Sequence, residues 1–262
     1  MIRGLYTSAL GMTTQMQRID VVSNNIANVN TTAFNRDAVA AQAFSDRLAH
    51  RIHDPAVAGV LRLFGNSAQV GPMSPGVFID EVFTDFSSGG VVETGGPLDI
   101  ALIGPGFIAM NVVNQDGSTE EKFSRSGSFT LDTNGVLTAM DGSRVQGLGG
   151  GNITIPNGSI TIDENGRVLS NDVYVDTIRM VGFSNPETLR KTRGSYFRVT
   201  DETNMIDFTG RVEQGFLETS NVSAVREMVE LVALSRAYEA NARMVQIHDE
   251  TLGRAVNEIA RR

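Results

Sequence analysis

Residues 221–259 read NVSAVREMVELVALSRAYEANARMVQIHDETLGRAVNEI, and the fold turns on how the apolar residues of this stretch are spaced. Met228, Leu231, Ser235, Tyr238, Ala242, Val245, Asp249, Leu252, Val256 and Ile259 recur at alternating intervals of three and four, the spacing that draws one narrow seam along a helix. Ser235 and Asp249 break the seam, and both are polar. A helix from about residue 221 to 259 spans roughly 55–60 Å at 1.5 Å per residue, far beyond an ordinary globular helix. The other end of the chain repeats the pattern. Ile2, Leu5, Ala9, Met12, Met16, Ile19, Ser23 and Ile26 are apolar except for Ser23, while Arg3, Gln17, Arg18 and Asp20 fall off the line. Asn24, Asn25, Asn28 and Asn30 close this run, and Ser220 or Asn221 is placed to cap the C-terminal one. A strict two-in-seven seam fits helix-on-helix packing better than a broad core-facing stripe. Assembly between copies and an intrachain coiled coil both use such seams, and the spacing favours assembly.

Moving inward, the Ala-rich segment 31–53 is compatible with a helix continuing through Phe44, Leu48 and Ile52. Asp54-Pro55, Gly59, Gly65, Gly71-Pro72 and Pro75-Gly76 interrupt everything after it, so 31–76 reads as a linker or irregular arm. From about Val77 to Gln214 the period becomes two. Short runs such as Asp99–Ile103, Ser128–Leu131, Ile153–Ile155 and Ile160–Ile162 alternate with turn chemistry at Gln115-Asp116-Gly117, Asp132-Thr133-Asn134-Gly135, Asp141-Gly142, Asn157-Gly158 and Asp163-Glu164-Asn165-Gly166. The fold class that follows is α+β: long N- and C-terminal α-helices forming a coiled-coil-like domain, with a central antiparallel β-rich domain of sandwich or barrel type. Residues 1–30 and 221–262 make an inner assembly domain, 31–76 the arm, and 77–220 a β-rich outer domain.

Composition narrows the chemistry. The chain has 262 residues, 41% of them hydrophobic, with 22 Lys and Arg against 30 Asp and Glu, a formal charge of −8. That balance lacks the basic footprint of a nucleic-acid partner. No run has the length of a membrane span, and the first 30 residues lack the apolar core of a secretory signal. With no Cys there are no disulfides, thiolate metal sites or Cys nucleophiles, and with no Trp and 4 Tyr an aromatic sugar-binding platform is poorly supplied. His50 and His53 stand at i and i+3 beside Asp54, but no third ligand is near. The Gly147–Gly151 run is followed by a strand rather than a helix, unlike a phosphate loop. Asp132 and Asp163 open calcium-like turns that lack the bidentate Glu. No carboxylate pair stands out for glycosidic hydrolysis. We therefore assign no catalytic, cofactor-binding or metal residue, and no small-molecule substrate.

Three motifs in order resemble the bacterial flagellar rod and hook axial proteins. The first is Ser23-Asn24-Asn25-Ile26-Ala27-Asn28-Val29-Asn30-Thr31-Thr32-Ala33-Phe34. The second combines Pro97–Leu102, Gly104-Pro105-Gly106-Phe107 and Phe123–Phe129; the third is Gln214-Gly215-Phe216-Leu217-Glu218-Thr219-Ser220-Asn221-Val222 followed by Arg236-Ala237-Tyr238-Glu239-Ala240-Asn241. The family usually carries Gly where this chain has Ala33 and a basic residue where it has Asn35; Gly permits a positive φ that Ala resists. Length places the chain with the rod subunits, the distal rod first and the proximal rod paralogue second.

The resemblance implies a structural subunit, not an enzyme, that stacks helically into a hollow drive shaft transmitting torque from motor to hook. It implies a homo-oligomeric tube, contacts with other rod proteins and hook subunits, passage through the flagellar type III export apparatus, and a place in the basal body spanning the envelope outside the cytoplasmic membrane. Leu5, Met12, Met16, Ile19 and Ile26 would then meet Met228, Leu231, Tyr238, Val245, Leu252 and Val256 in the assembly interface, with both termini poorly ordered until copies associate. The family motif falls on Asn24, Asn25, Asn28, Phe34, Gly215, Ser220, Asn221, Tyr238 and Glu239.

Overall fold

The computed structural model describes residues 2–44, 47–51, 68–73, 76–113, 117–156, 158–192 and 194–259. The chain forms two compact units: Met1–Ser23, Ala38–Phe83 and Met228–Arg262 in the first, Asn24–Asp37 and Thr84–Glu227 in the second. Of the His50, His53 and Asp54 cluster, His53 and Asp54 lie outside the described residues.

The α-helices among the described residues are two, α1 (Ile2–Ala27) and α2 (Ala224–Ile259), flanking a β-rich region, so the α+β class holds. The coiled-coil-like domain expected from the spacing does not. Inside the first unit, Gly4 of α1 leaves room for the His248 ring, a Cβ on Gly11 would stand 3.0 Å from Asn241 Nδ2, and Arg18 reaches Glu230 at 3.4 Å. Glycines and polar side chains make these contacts, and they cannot interlock as apolar knobs. Met16, Met228 and Val256 instead stand 57%, 52% and 64% exposed. Spacing identifies an apolar face without saying what covers it, and α1 is also claimed from another side: Thr14 donates to the Val77 carbonyl at 3.1 Å, and the Leu10 side chain lies against Gly76.

The arm is not helical where it is described. Asp37–Ala43 pairs with Val77–Thr84 in a two-stranded sheet, and Arg47–Arg51 pairs antiparallel with Ala68–Met73, which puts Leu48 in a strand; Ile52 lies outside the described residues. The intrinsic helix preference of Ala is small, and pairing with a distant strand overrides it.

The second unit contains a nine-stranded sheet. Its central strand, Phe107–Val113, pairs along one edge with Thr119–Ser124 and along the other with Arg144–Val145 and Met180–Phe183, all antiparallel. Ile108, Met110, Leu137, Val145, Ile155 and Ile178 close one core. Phe107, Phe123, Phe183 and Phe197 close a second, with ring centroids as near as 5.2 Å. The Asp-rich turns act as the sequence predicts: Gly135, Gly142 and Gly166 take φ of 75°, 86° and 74°, where only glycine is unstrained. Ile153–Ile155 departs from the expected strand and makes an isolated bridge from Thr154 to Val136, although Ile153 and Ile155 are buried.

Candidate functional site

The residues quoted for the first and third motifs lie nearly 200 positions apart, and the second unit brings part of each set together. After α1 the chain turns through Asn28, whose Nδ2 donates to the Asn24 carbonyl at 2.8 Å, and reaches Ala33 at φ 52°. Ala33 N–H donates to the Glu218 carbonyl at 2.9 Å, so the turn is tied to the other motif at once. Phe34 follows, buried, with its carbonyl accepting from the Ser220 hydroxyl at 3.2 Å and from Asn221 N–H at 3.3 Å.

Asn221 uses both ends of its amide. Oδ1 accepts from Arg36 N–H at 2.8 Å, and Nδ2 donates to the Asp85 and Ser87 carbonyls at 2.9 Å each. It is therefore committed to this junction, and α2 begins three residues later, at Ala224, with Glu227 N–H donating to the Ser223 carbonyl at 3.0 Å. Asn25, fully buried in the last turn of α1, pairs with the backbone of Asp37: Nδ2 donates to its carbonyl at 2.8 Å and Oδ1 accepts from its N–H at 3.0 Å.

Charges complete the junction. Glu227, in the first turn of α2, is fully buried, accepting from Arg36 Nε at 2.6 Å and from Asn25 Nδ2 at 3.2 Å. Lys191 Nζ donates to the Asn35 carbonyl at 2.8 Å and to Asp37 Oδ2 at 2.9 Å, and stands 3.9 Å over the Phe34 ring. Burial lowers the Lys191 pKa, with Asp37 pulling the other way. Deeper in the unit, Arg125 Nε meets Glu218 Oε2 at 2.5 Å, both side chains about 95% buried, and Glu218 Oε1 accepts from Gly89 N–H at 3.0 Å.

Not every motif residue joins this cluster. Gly215 sits between the strands Arg211–Gln214 and Phe216–Glu218 at φ 81°, where its carbonyl receives Thr94 and Gly95 N–H. Asn24 is exposed; Tyr238 is half-buried and Glu239 exposed on α2 in the first unit. Of the proposed seam, Leu5, Met12, Ile19, Ile26, Leu231, Tyr238, Val245 and Leu252 are half-buried. Sequence reasoning passed over Arg36, Asp37, Asp85, Lys191 and Glu227. The one visible signal was a Glu in the first turn of a predicted helix, and that is common at any helix N-terminus.

Buried charges here are matched by partners within the protein, which suits holding two chain segments together rather than turning over a substrate. A hollow of about 370 Å³ in the same unit is lined by Thr31, Ser126, Ser128, Asp141 and Tyr196, among others, but by no imidazole or amine. Burial, opposed by a hydrogen bond with Ser143 and reinforced by the neighbouring Asp141 charge, pushes the Tyr196 phenol well above its ordinary pKa.

Comparison with known proteins gives three family matches: residues 5–34 with the flagella basal body rod protein family, 101–170 with the flagellar hook protein FlgE/F/G D1 domain, and 213–258 with the flagellar basal body rod FlgEFG protein C-terminal family. The flagellar basal-body rod protein FlgG of Bacillus subtilis is 32% identical, covering 98% of this chain and 99% of the relative. FlgG of Borreliella burgdorferi is 34% identical over 98% of each. The flagellar basal-body rod protein FlgF of Caulobacter vibrioides is 30% identical over 100% of this chain and 99% of its own length.

Proposed function

The chain belongs to the flagellar basal-body rod protein family, and from that premise we propose that it is a rod subunit that assembles helically with its own copies into a hollow shaft carrying torque from motor to hook. The observation that carries this reading is the apolar surface left open on both helices. Tyr6 and Met16 of α1 are 64% and 57% exposed, and Val225, Met228, Val229, Val232, Ile247 and Val256 of α2 are each more than half exposed. A subunit that met only water would carry this surface at a cost in solubility. An open helical assembly covers it, because a heterologous contact that does not close into a ring repeats without limit. Leu5, Met12, Met16, Ile19, Ile26, Met228, Leu231, Tyr238, Val245, Leu252 and Val256 are the interface residues of this proposal.

The family is structural rather than enzymatic, and its place is the basal body. Rod and hook proteins are the neighbours, and the type III export apparatus is the route outward. Among the described residues no helix is long and apolar enough to cross a membrane. The distal rod is favoured over the proximal one because FlgG names predominate among the relatives, while the FlgF match keeps the proximal reading as the alternative. Expression in flagellated hosts lacking either the distal or the proximal subunit separates the two, motility returning in only one. Electron microscopy of the concentrated full chain tests assembly itself: tubes should form, and the paired substitutions Met16→Glu and Val256→Glu should abolish them. Tubes unaffected by both charges would refute the reading.

A further inference from the structure

Glu227 is a carboxylate with no exposed surface, and its two oxygens are used by different segments of the chain. Oε1 accepts from Arg36 Nε and Oε2 from Asn25 Nδ2. The same Asn25 amide grips the Asp37 backbone on both sides, and the Arg36 N–H is held by Asn221 Oδ1. The last turn of α1, the strand start at Arg36-Asp37, and the first turn of α2 thus share one buried charge.

We propose that Glu227 is a positioning residue that makes the end of α1 and the beginning of α2 a single cooperative piece, already formed in the free subunit before any copy meets another. This rests on the rod-subunit reading for its purpose, since a preformed junction would have the last turn of α1 and the first turn of α2 ordered before a neighbouring copy arrives. The physical ground is the asymmetry of buried ion pairs. Opening either side takes a hydrogen-bond partner from a group that stays buried on the other, so each side is more stable when the other is closed. If the first turn of α2 unwinds, Glu227 reaches water and Asn25 loses an acceptor. If the last turn of α1 unwinds, Glu227 keeps only Arg36. Ordering at residues 24–37 and 221–227 is therefore linked, whereas α1 before Ser23 and α2 beyond Met228 depend on contacts of the other unit.

Amide hydrogen exchange on the dilute, full-length chain tests this, comparing the natural sequence with Glu227→Gln, with Asn25→Ala, with Arg36→Gln, and with the double substitution Arg36→Gln and Glu227→Gln. In Glu227→Gln the amides of residues 25–28 should exchange at least tenfold faster along with those of Glu227 and Met228, the first hydrogen-bonded amides of α2, while the central strand Phe107–Val113 keeps its rate. Asn25→Ala should accelerate the Glu227 and Met228 amides from the opposite side by a similar factor. Neutralising both Arg36 and Glu227 should recover part of the protection lost in Arg36→Gln alone, because Glu227, 1% exposed, is then no longer a charged carboxylate left in the interior. Acceleration spread evenly through the β-sheet, or confined to the substituted side, overturns the proposal. Tube formation is scored in parallel: tubes with unlinked exchange refute only the junction, and linked exchange without tubes refutes only the rod reading.

Discussion

Ala33 sits at φ 52° with 3% of its surface exposed, in a turn where the family resemblance leads one to expect Gly. A left-handed Ala costs about 1–2 kcal/mol, but glycine there would give up a buried methyl worth about 0.8 kcal/mol and add chain entropy to the unfolded state. These terms nearly cancel. Urea unfolding of Ala33→Gly should therefore show a change within about 0.5 kcal/mol, whereas Ala33→Val, β-branched and crowded, should lose about 2 kcal/mol or more. The Arg125–Glu218 pair predicts a larger effect. Glu218→Gln should cost about 3–5 kcal/mol by leaving Arg125 buried and unpaired, and the apolar double replacement Arg125→Met with Glu218→Leu should cost clearly less.

Tyr196 gives the pH dependence. Its phenol is raised in the folded state, chiefly by burial, so its contribution to stability is complete below the unfolded value of about 10 and disappears as pH rises through the folded one. A phenolate difference titration between the natural chain and Tyr196→Phe should place the missing step above the ordinary tyrosine range. A step at the ordinary value would contradict the burial.

Among the elements, the outer face of α2 separates stability from assembly. Met228, one of the proposed interface residues, is 52% exposed, so Met228→Lys should leave the free subunit within about 0.5 kcal/mol of the natural chain in urea while preventing its addition to a growing tube. Both helices were legible because three-and-four spacing survives over many turns, and the hairpins were legible because Asp, Asn and Gly declare their turns locally. The coiled-coil-like pairing was not. Gly4 and Gly11 carry no hydrophobic signal, yet they are where α1 meets His248 and Asn241. The strand Asp37–Ala43 was hidden for a related reason: its partner, Val77–Thr84, lies some forty residues along the chain, and alanines say nothing about distant pairing. The junction shows the same limit at longer range. Asn25, Phe34, Ser220 and Asn221 stood out as motif residues, but Arg36, Lys191 and Glu227 became visible only once folding placed them against that motif.

Taken as a whole molecule, the chain combines a β-rich unit built on two buried cores, with Met140, Leu148 and Val173 exposed on its surface, and terminal helices whose apolar residues are partly left in solvent. The first stands on its own contacts. The second has surface to spare, and in a rod subunit that surplus is what neighbouring copies cover. Because the chain contains no cysteine, a single introduced thiol reports one position without interference. Val256→Cys, at a site 64% exposed in the isolated chain, is the most direct probe. Its maleimide labelling rate should fall at least tenfold when the protein passes from the dilute subunit to the assembled tube. An unchanged rate in tubes confirmed by microscopy would mean that this face of α2 stays in solvent, and that copies of the chain are not joined through it.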